Sequence, residues 1–130
     1  MNDKSLPKLK KELQDVFNLF IRIRDKDKPC ISCGRFKPLQ AGHFFPVGSY
    51  DGLRYDEDNC HGEGAECNCF DNLHLESYKK NLILRIGQEA FDALVERAEN
   101  YKRCGYKWSK SELVEKIKYY KSKVREMERG

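Results

Sequence analysis

The chain has 130 residues, 39% of them hydrophobic and 12% aromatic, which is enough for one core and one compact domain. Charged residues make up 35% but the formal net charge is only +4, so no strong uniform field is present and any basic surface must come from clustering. No run approaches the ~20 apolar residues of a membrane span, and MNDKSLPKLKKE lacks the apolar core of a secretory signal. We therefore expect a cytoplasmic chain with no membrane partner. There, six cysteines point to metal ligation before disulfides.

In chain order, Leu9, Leu13, Val16, Phe17, Phe20 and Ile21 recur at helical spacing, predicting an amphipathic helix from Leu6 to Arg24 that ends at DKDKP. Residues 29 to 67 replace that pattern with Gly, Pro, aromatics and cysteines. They predict a knuckle, then short strands near Gln40 to Phe44 and Leu53 to His61. Helical spacing returns over Leu73 to Ile86, and IGQEAFDALVERA predicts another helix just after Gly87. RCGYKWS reads as a turn or short strand. Ser109 is then a candidate N-cap for a last helix carrying Leu113, Ile117, Tyr120 and Val124. The segments are an N-terminal helix (1–28), a metal-binding core (29–86) and C-terminal helices (87–130). Cys104, isolated in KRCGY, reads as a free or buried thiol.

The chemistry is concentrated in PCISCGRFKPLQAGHF, residues 29 to 44. Two thiolates two residues apart bind one ion, and the glycine after them lets the backbone turn, so Cys30 and Cys33 are expected zinc ligands. Cys67, before Asn68 and the start of a predicted helix, is the third. Gly64 stands where a second CxxC needs its first cysteine, which leaves the fourth ligand open among Cys60, His61 and Cys69, or a water.

His43 is followed by Asn59 and then by Asn68 directly behind Cys67. This series resembles the His-Asn-His/Asn skeleton of the HNH nucleases, whose ββα-metal motif is interleaved with zinc cysteines. The stretches LQDVFNLFIRIRDKDKPCISCG, AGHF, LRYDEDNCH, CN and NLILRIGQEAFDAL extend the likeness over most of the chain, to the NinG/Rap family of phage recombination endonucleases. The resemblance implies an α+β, helix-rich single domain around a treble-clef-like ββα-metal core with a structural zinc. It also implies a structure-specific DNA endonuclease acting on branched recombination intermediates in the host-cell cytoplasm. The chain departs from the pattern at Gly64, where the family has cysteine, at Leu73 and His74, where it commonly has Gly-Asn, and at Gly42, where HNH enzymes often place a metal ligand.

Phosphodiester hydrolysis needs a base, a cation to stabilise the phosphorane and a fixed in-line geometry. Under the resemblance, His43 is the base and Asn59 accepts from its ring to fix the tautomer. Asn68 offers an oxygen to magnesium or manganese, with His74 or His61 as the further ligand. Arg54, Lys79, Lys80 and Arg85 flank this site in sequence and are the expected contacts to DNA phosphates. Tyr119, Tyr120 and Trp108 either stack on unpaired bases or, as we favour, seal helices onto the core. A homodimer would suit a two-fold branched substrate. A nucleobase deaminase is disfavoured because its His-x-Glu and Pro-Cys-x-x-Cys elements occur here in reverse order. The rival reading is a zinc-stabilised, non-catalytic DNA-binding or adaptor module.

Overall fold

Apolar residues at three- and four-residue steps draw the two longest helices together in the computed structural model, which describes residues 4–68 and 72–130, without the side chains at 72 and 73. Helix α1 (Leu6–Arg24) starts on Ser5, whose hydroxyl accepts from the Lys8 amide, and Pro7 lies in the first turn where a missing N–H costs nothing. Helix α4 (Lys110–Arg129) starts on Ser109, which exchanges hydrogen bonds with Glu112 in a capping box. The predicted N-cap is therefore the observed one.

Leu9, Leu13, Phe17, Phe20 and Ile21 of α1 and Leu113, Ile117, Tyr120 and Val124 of α4 form one buried cluster, which Tyr55, Cys60 and Trp108 complete. Leu13 is fully buried there. Leu13→Ala should destabilise the chain by about 2–5 kcal/mol through lost burial and a residual cavity. A fall in the urea midpoint with unchanged slope would register it, whereas an unmoved midpoint would mean that α1 does not pack on α4.

A second cluster forms where α2 (Asn72–Ile86) and α3 (Gln88–Cys104) meet the knuckle: Tyr78, Leu82, Phe91, Leu94 and Ala98 bury Ile31 and Leu53. Between the clusters lies a two-stranded antiparallel sheet. Strands β1 (Gln40–His43) and β2 (Cys60–Glu63) pair Gln40 with Glu63 at one end and His43 with Cys60 at the other. Side chains alternate along a strand. Ala41, His43 and Cys60 consequently share the face that meets α1 and α4, whereas Gly42, His61 and Glu63 face α2, whose Tyr78 hydroxyl donates to the Gly42 carbonyl at 2.6 Å.

The strand expected over Leu53 to His61 is shorter and later than the sequence suggests. Asp51–Leu53 is a turn of 3₁₀ helix. The Asp56 side chain then accepts from the Asp58 amide at 3.1 Å while the Asn59 amide donates to the Asp56 carbonyl at 3.0 Å. These Asp-centred turns use the backbone groups that a ladder would need. Among the described residues, no helix is long and apolar enough to cross a membrane.

Candidate metal centre and histidine site

The knuckle turn closes through the Cys30 amide on the Arg35 carbonyl (2.8 Å) and the Gly34 amide on the Cys30 carbonyl (2.9 Å), and the Ile31 amide ties it to the Gly62 carbonyl of β2 (3.0 Å). A second turn, with the Cys67 amide on the Gly64 carbonyl (3.0 Å), brings the third thiol in. The Sγ atoms of Cys30, Cys33 and Cys67 lie within 4.8 Å of one another. Tetrahedral thiolates on zinc are about 3.8 Å apart, from a Zn–S bond of about 2.3 Å. The trio can therefore hold a metal ion such as zinc with little movement.

Electrostatics agree with that reading. Burial resists ionisation of Cys33, but the Arg35 amide, Lys37 and the neighbouring thiols overcome it and bring its pKa down to about 7. Burial, together with Cys33 and Cys30, pushes the Cys67 thiol up to about 12. The protein alone thus favours the Cys33 thiolate and opposes that of Cys67, which a bound cation would let ionise.

The other proposed ligands do not join. Cys60 is buried in the α1–α4 cluster, on the far face of the sheet, and desolvation raises its pKa strongly. His61 has both ring nitrogens engaged: Nδ1 accepts from the Arg24 guanidinium at 3.1 Å, so the proton sits on Nε2, which donates to the Asp58 carbonyl at 3.0 Å. Cys69 lies outside the described residues.

His61 is instead part of an internal latch. Arg24 forks onto both oxygens of Asp25 at 2.8 Å, and Asp25, fully buried, also accepts from the Gly62 amide at 2.9 Å. Arg85 closes the latch from α2, 3.8 Å from Asp25 and bonded to the Pro29 carbonyl at 3.2 Å. The guanidinium expected on DNA is thereby spent inside the fold, joining α1, β2, the knuckle and α2. Nothing in an i, i+3 pattern distinguishes such an arginine from a surface one.

The latch makes stability acid-labile. Burial, then the charge of Arg24, depresses His61 to about 3. The unfolded chain therefore binds a proton that the folded chain refuses, and stability falls as pH drops below about 6.5. Burial would raise Asp25, but the hydrogen bonds and charge of Arg24 win and hold it at about 2. Its contribution, roughly 2 kcal/mol, is present above pH ~4 and lost between ~4 and ~2. Urea unfolding across pH should show the decline beginning near 6.5, and His61→Gln should flatten the upper part of it. A wild-type curve flat from 7 to 4 would contradict the assignment.

His43 ends β1, half-buried, with Nε2 3.0 Å from the Arg54 carbonyl. A carbonyl only accepts, so Nε2 carries the proton and Nδ1 keeps the lone pair. Burial lowers the pKa of His43, against the hydrogen bond to the Arg54 carbonyl, which favours the protonated ring, and with a smaller contribution from the charge of Arg54; the net direction favours the neutral ring. The orienting group is thus a backbone carbonyl, whereas the sequence suggests Asn59. Asn59 is fully buried: its Oδ1 accepts from the Phe45 amide (2.8 Å), and its Nδ2 donates to the carbonyls of Phe45 (3.0 Å) and Leu53 (3.2 Å). It clamps both ends of the loop that delivers the Arg54 carbonyl, and so acts on His43 one step removed.

Asn68 does not open a helix; it sits in a bend four residues before α2, its amide donating to Gln40 Oε1 at 3.1 Å. Gln40 is three residues from His43 along β1, about 10 Å at strand rise. The described contacts therefore do not bring Asn68 to His43. Asn68 lies instead beside the Gln40–Glu63 pair. Glu63 is buried, hydrogen-bonded by the Ser32 hydroxyl, and raised in pKa by burial, which that bond and the charge of His74 partly offset. His74, from the first turn of α2, is thereby placed near Glu63. Sequence reasoning missed Glu63; its alternation with His61 on β2 was the available signal. Any Cβ at Gly42 would collide with the Glu63 side chain, which accounts for a glycine before His43.

Of the expected DNA contacts, Lys79 and Lys80 are exposed on α2. Arg54 lines a groove with Lys10, Lys11, Gln14 and Asp15, and its Nε is buried without a partner there. Trp108 and Tyr120 are buried in the α1–α4 cluster, as favoured; Tyr119 is half exposed. Cys104 is free and exposed.

The sequence matches the family described as "Bacteriophage Lambda NinG protein" over residues 2–130. It is 38% identical over 119 residues to the Protein ninG of Escherichia phage 933W, covering 90% of this chain and 57% of that protein. Identity is 37% to Protein ninG of Escherichia phage lambda and 36% to that of Salmonella phage P22, each covering 90% of this chain and 56% of the relative. The chain thus spans little more than half the length of these relatives. No solved structure matches it. On the strength of the family match and these identities, the chain belongs to the NinG family.

Proposed function

We propose that this chain is a divalent-metal-dependent, HNH-type endonuclease with a structural zinc at Cys30, Cys33 and Cys67, hydrolysing phosphodiester bonds in branched DNA recombination intermediates. The observation that carries the reading is the state of His43. Its ring is pinned through Nε2–H to a backbone carbonyl, is favoured in the neutral form by burial, and so keeps on Nδ1 the lone pair that a general base requires. The order of thiol knuckle, β1–β2 hairpin and α2 supports it, as does the resemblance drawn from sequence.

In this scheme a water proton passes to His43 Nδ1, while Asn59 keeps the 44–58 loop from moving the Arg54 carbonyl. Asn68 and His74, with Glu63 beside them, offer the oxygen and imidazole donors that suit magnesium or manganese. They lie at the Gln40–Glu63 end of the sheet, away from His43, so an ion there would stabilise charge on the phosphorane only if bound DNA draws these groups toward His43. Lys10, Lys11 and Arg54, with Lys79 and Lys80, supply phosphate contacts.

One observation favours the second reading, a zinc-stabilised DNA-binding or adaptor module with a degenerate site: Asn68 meets Gln40 and not His43. Incubating a four-way junction, a displacement loop and a linear duplex of shared sequence with the protein and manganese or magnesium separates the two. Cation-dependent cleavage, stronger on the branched forms, supports the endonuclease. Retarded mobility without cleavage under either cation supports the module.

A further inference from the structure

We infer that the ion at Cys30, Cys33 and Cys67 has three protein ligands and one exchangeable position, open to a small exogenous thiolate and flanked by the Lys37 ammonium. The inference rests on the metal reading of the three thiols and is independent of cleavage.

A structural zinc site is closed by four protein ligands, whereas an open site keeps three and exchanges the fourth. Among the described residues, no other His, Cys, Asp or Glu joins the three sulfurs. The near candidates among the described residues are committed elsewhere: His61 through both ring nitrogens, Glu63 to Ser32, Glu66 to Lys37, and Cys60 within the α1–α4 cluster; Cys69 lies outside the described residues.

Gly64 occupies the position from which a fourth ligand would project. It stands three residues before Cys67, as Cys30 stands three before Cys33. Its amide already donates to Cys30 Sγ at 3.3 Å. A Cβ built on it would run into the methylenes of Lys37, whose Nζ is 3.8 Å from Cys67 Sγ. A lysine stem therefore fills the space a fourth side chain would take, and only a shift of that flexible stem would admit one. Its ammonium has no lone pair and cannot ligate. It does supply a positive charge beside a unit that, with three thiolates on a divalent ion, carries one net negative charge. That charge favours an anionic incoming ligand, and an ion selected by thiolates favours a soft one.

Cobalt(II) provides the test, because its visible spectrum reports the ligand set. Wild type, Gly64→Cys and Cys69→Ser are each loaded with cobalt, titrated with 2-mercaptoethanol, and then challenged with a chromophoric chelator. Wild type and Cys69→Ser should bind one ion, give matching spectra, and shift those spectra as thiol is added. Gly64→Cys should ignore the thiol and hold cobalt about tenfold more tightly or better, as expected when a site closes. A thiol-insensitive wild-type spectrum, or a Cys69→Ser protein with a changed spectrum or weaker binding, would place a protein group in the fourth position and overturn the proposal. Should Gly64→Cys fail to fold, the wild-type and Cys69→Ser titrations decide the matter alone. A wild type that binds neither cobalt nor zinc would remove the metal reading itself, an outcome distinct from a fourth protein ligand.

Discussion

Cys67→Ser, or wild-type protein stripped by a strong chelator, should lose the ordered structure of residues 29 to 67 and melt on the order of 15 °C lower. The knuckle has little else to hold it. Between Pro29 and β1 there is no regular secondary structure, and its backbone is tied down by a handful of bonds: Cys30 to Arg35, Ile31 to Gly62, and the Asn81 amide to the Ile31 carbonyl at 2.7 Å. A structural zinc contributes roughly 10–16 kcal/mol of apparent binding free energy in small metal domains. The whole net stability of a domain is about 5–15 kcal/mol. Even a loss of about 4 kcal/mol moves the midpoint of a chain this size by on the order of 15 °C. Losing the knuckle also withdraws Ile31 from the α2–α3 cluster, where it is buried beside Tyr78 and Leu82. Circular dichroism melts with and without chelator, paired with zinc analysis, provide the measurement. A Cys67→Ser protein with the wild-type midpoint would show that the three thiols pack and do not ligate.

Where the sequence was legible, the cause was local. The boundaries of α1 follow from apolar residues at helical spacing and the Ser5 cap, and the Ser109–Glu112 box marks the start of α4. Cys30 and Cys33 were legible because CxxC spacing is a property of ligand geometry, whereas Cys67, with Gly64 in place of a CxxC partner, was singled out only by its position before Asn68. What could not be read depends on partners distant in the chain. Arg85 and His61 are indistinguishable from surface residues until Asp25, fixed by Arg24 at the end of α1, is folded against them. Asn59 carries the right chemistry for the role expected of it, but its donors and acceptor are taken by Phe45 and Leu53. Only the path of the intervening loop could reveal that. Gly42 and Gly64, which read as departures from a motif, are each explained by a neighbour that fills the space of a Cβ: Glu63 in one case, Lys37 in the other.

His43→Ala should lower cation-dependent cleavage by about 10²–10⁴-fold, the usual contribution of a positioned general base, while leaving DNA binding within twofold or so of wild type, because the imidazole is not among the groups lining the basic groove. The pH dependence distinguishes a base from a packing residue. Burial lowers the pKa of His43, so the ring stays neutral, and able to accept a proton, at pH values below the ordinary ~6.5 of a histidine. The acid limb of the wild-type rate profile should therefore fall below pH 6.5, and it should vanish from the residual activity of His43→Ala. Asn59→Ala tests the second half of the argument. Freed from its clamp, the 44–58 loop no longer fixes the Arg54 carbonyl and the tautomer preference weakens. Loss of that bond lowers the ring's pKa, but the gain of solvent removes the larger cause, burial, so the acid limb should move up toward the ordinary histidine value. If instead His43→Ala cleaves as wild type does, the base lies elsewhere, and the buried Glu63, raised in pKa and placed near His74 at the other end of the sheet, is the next group to replace.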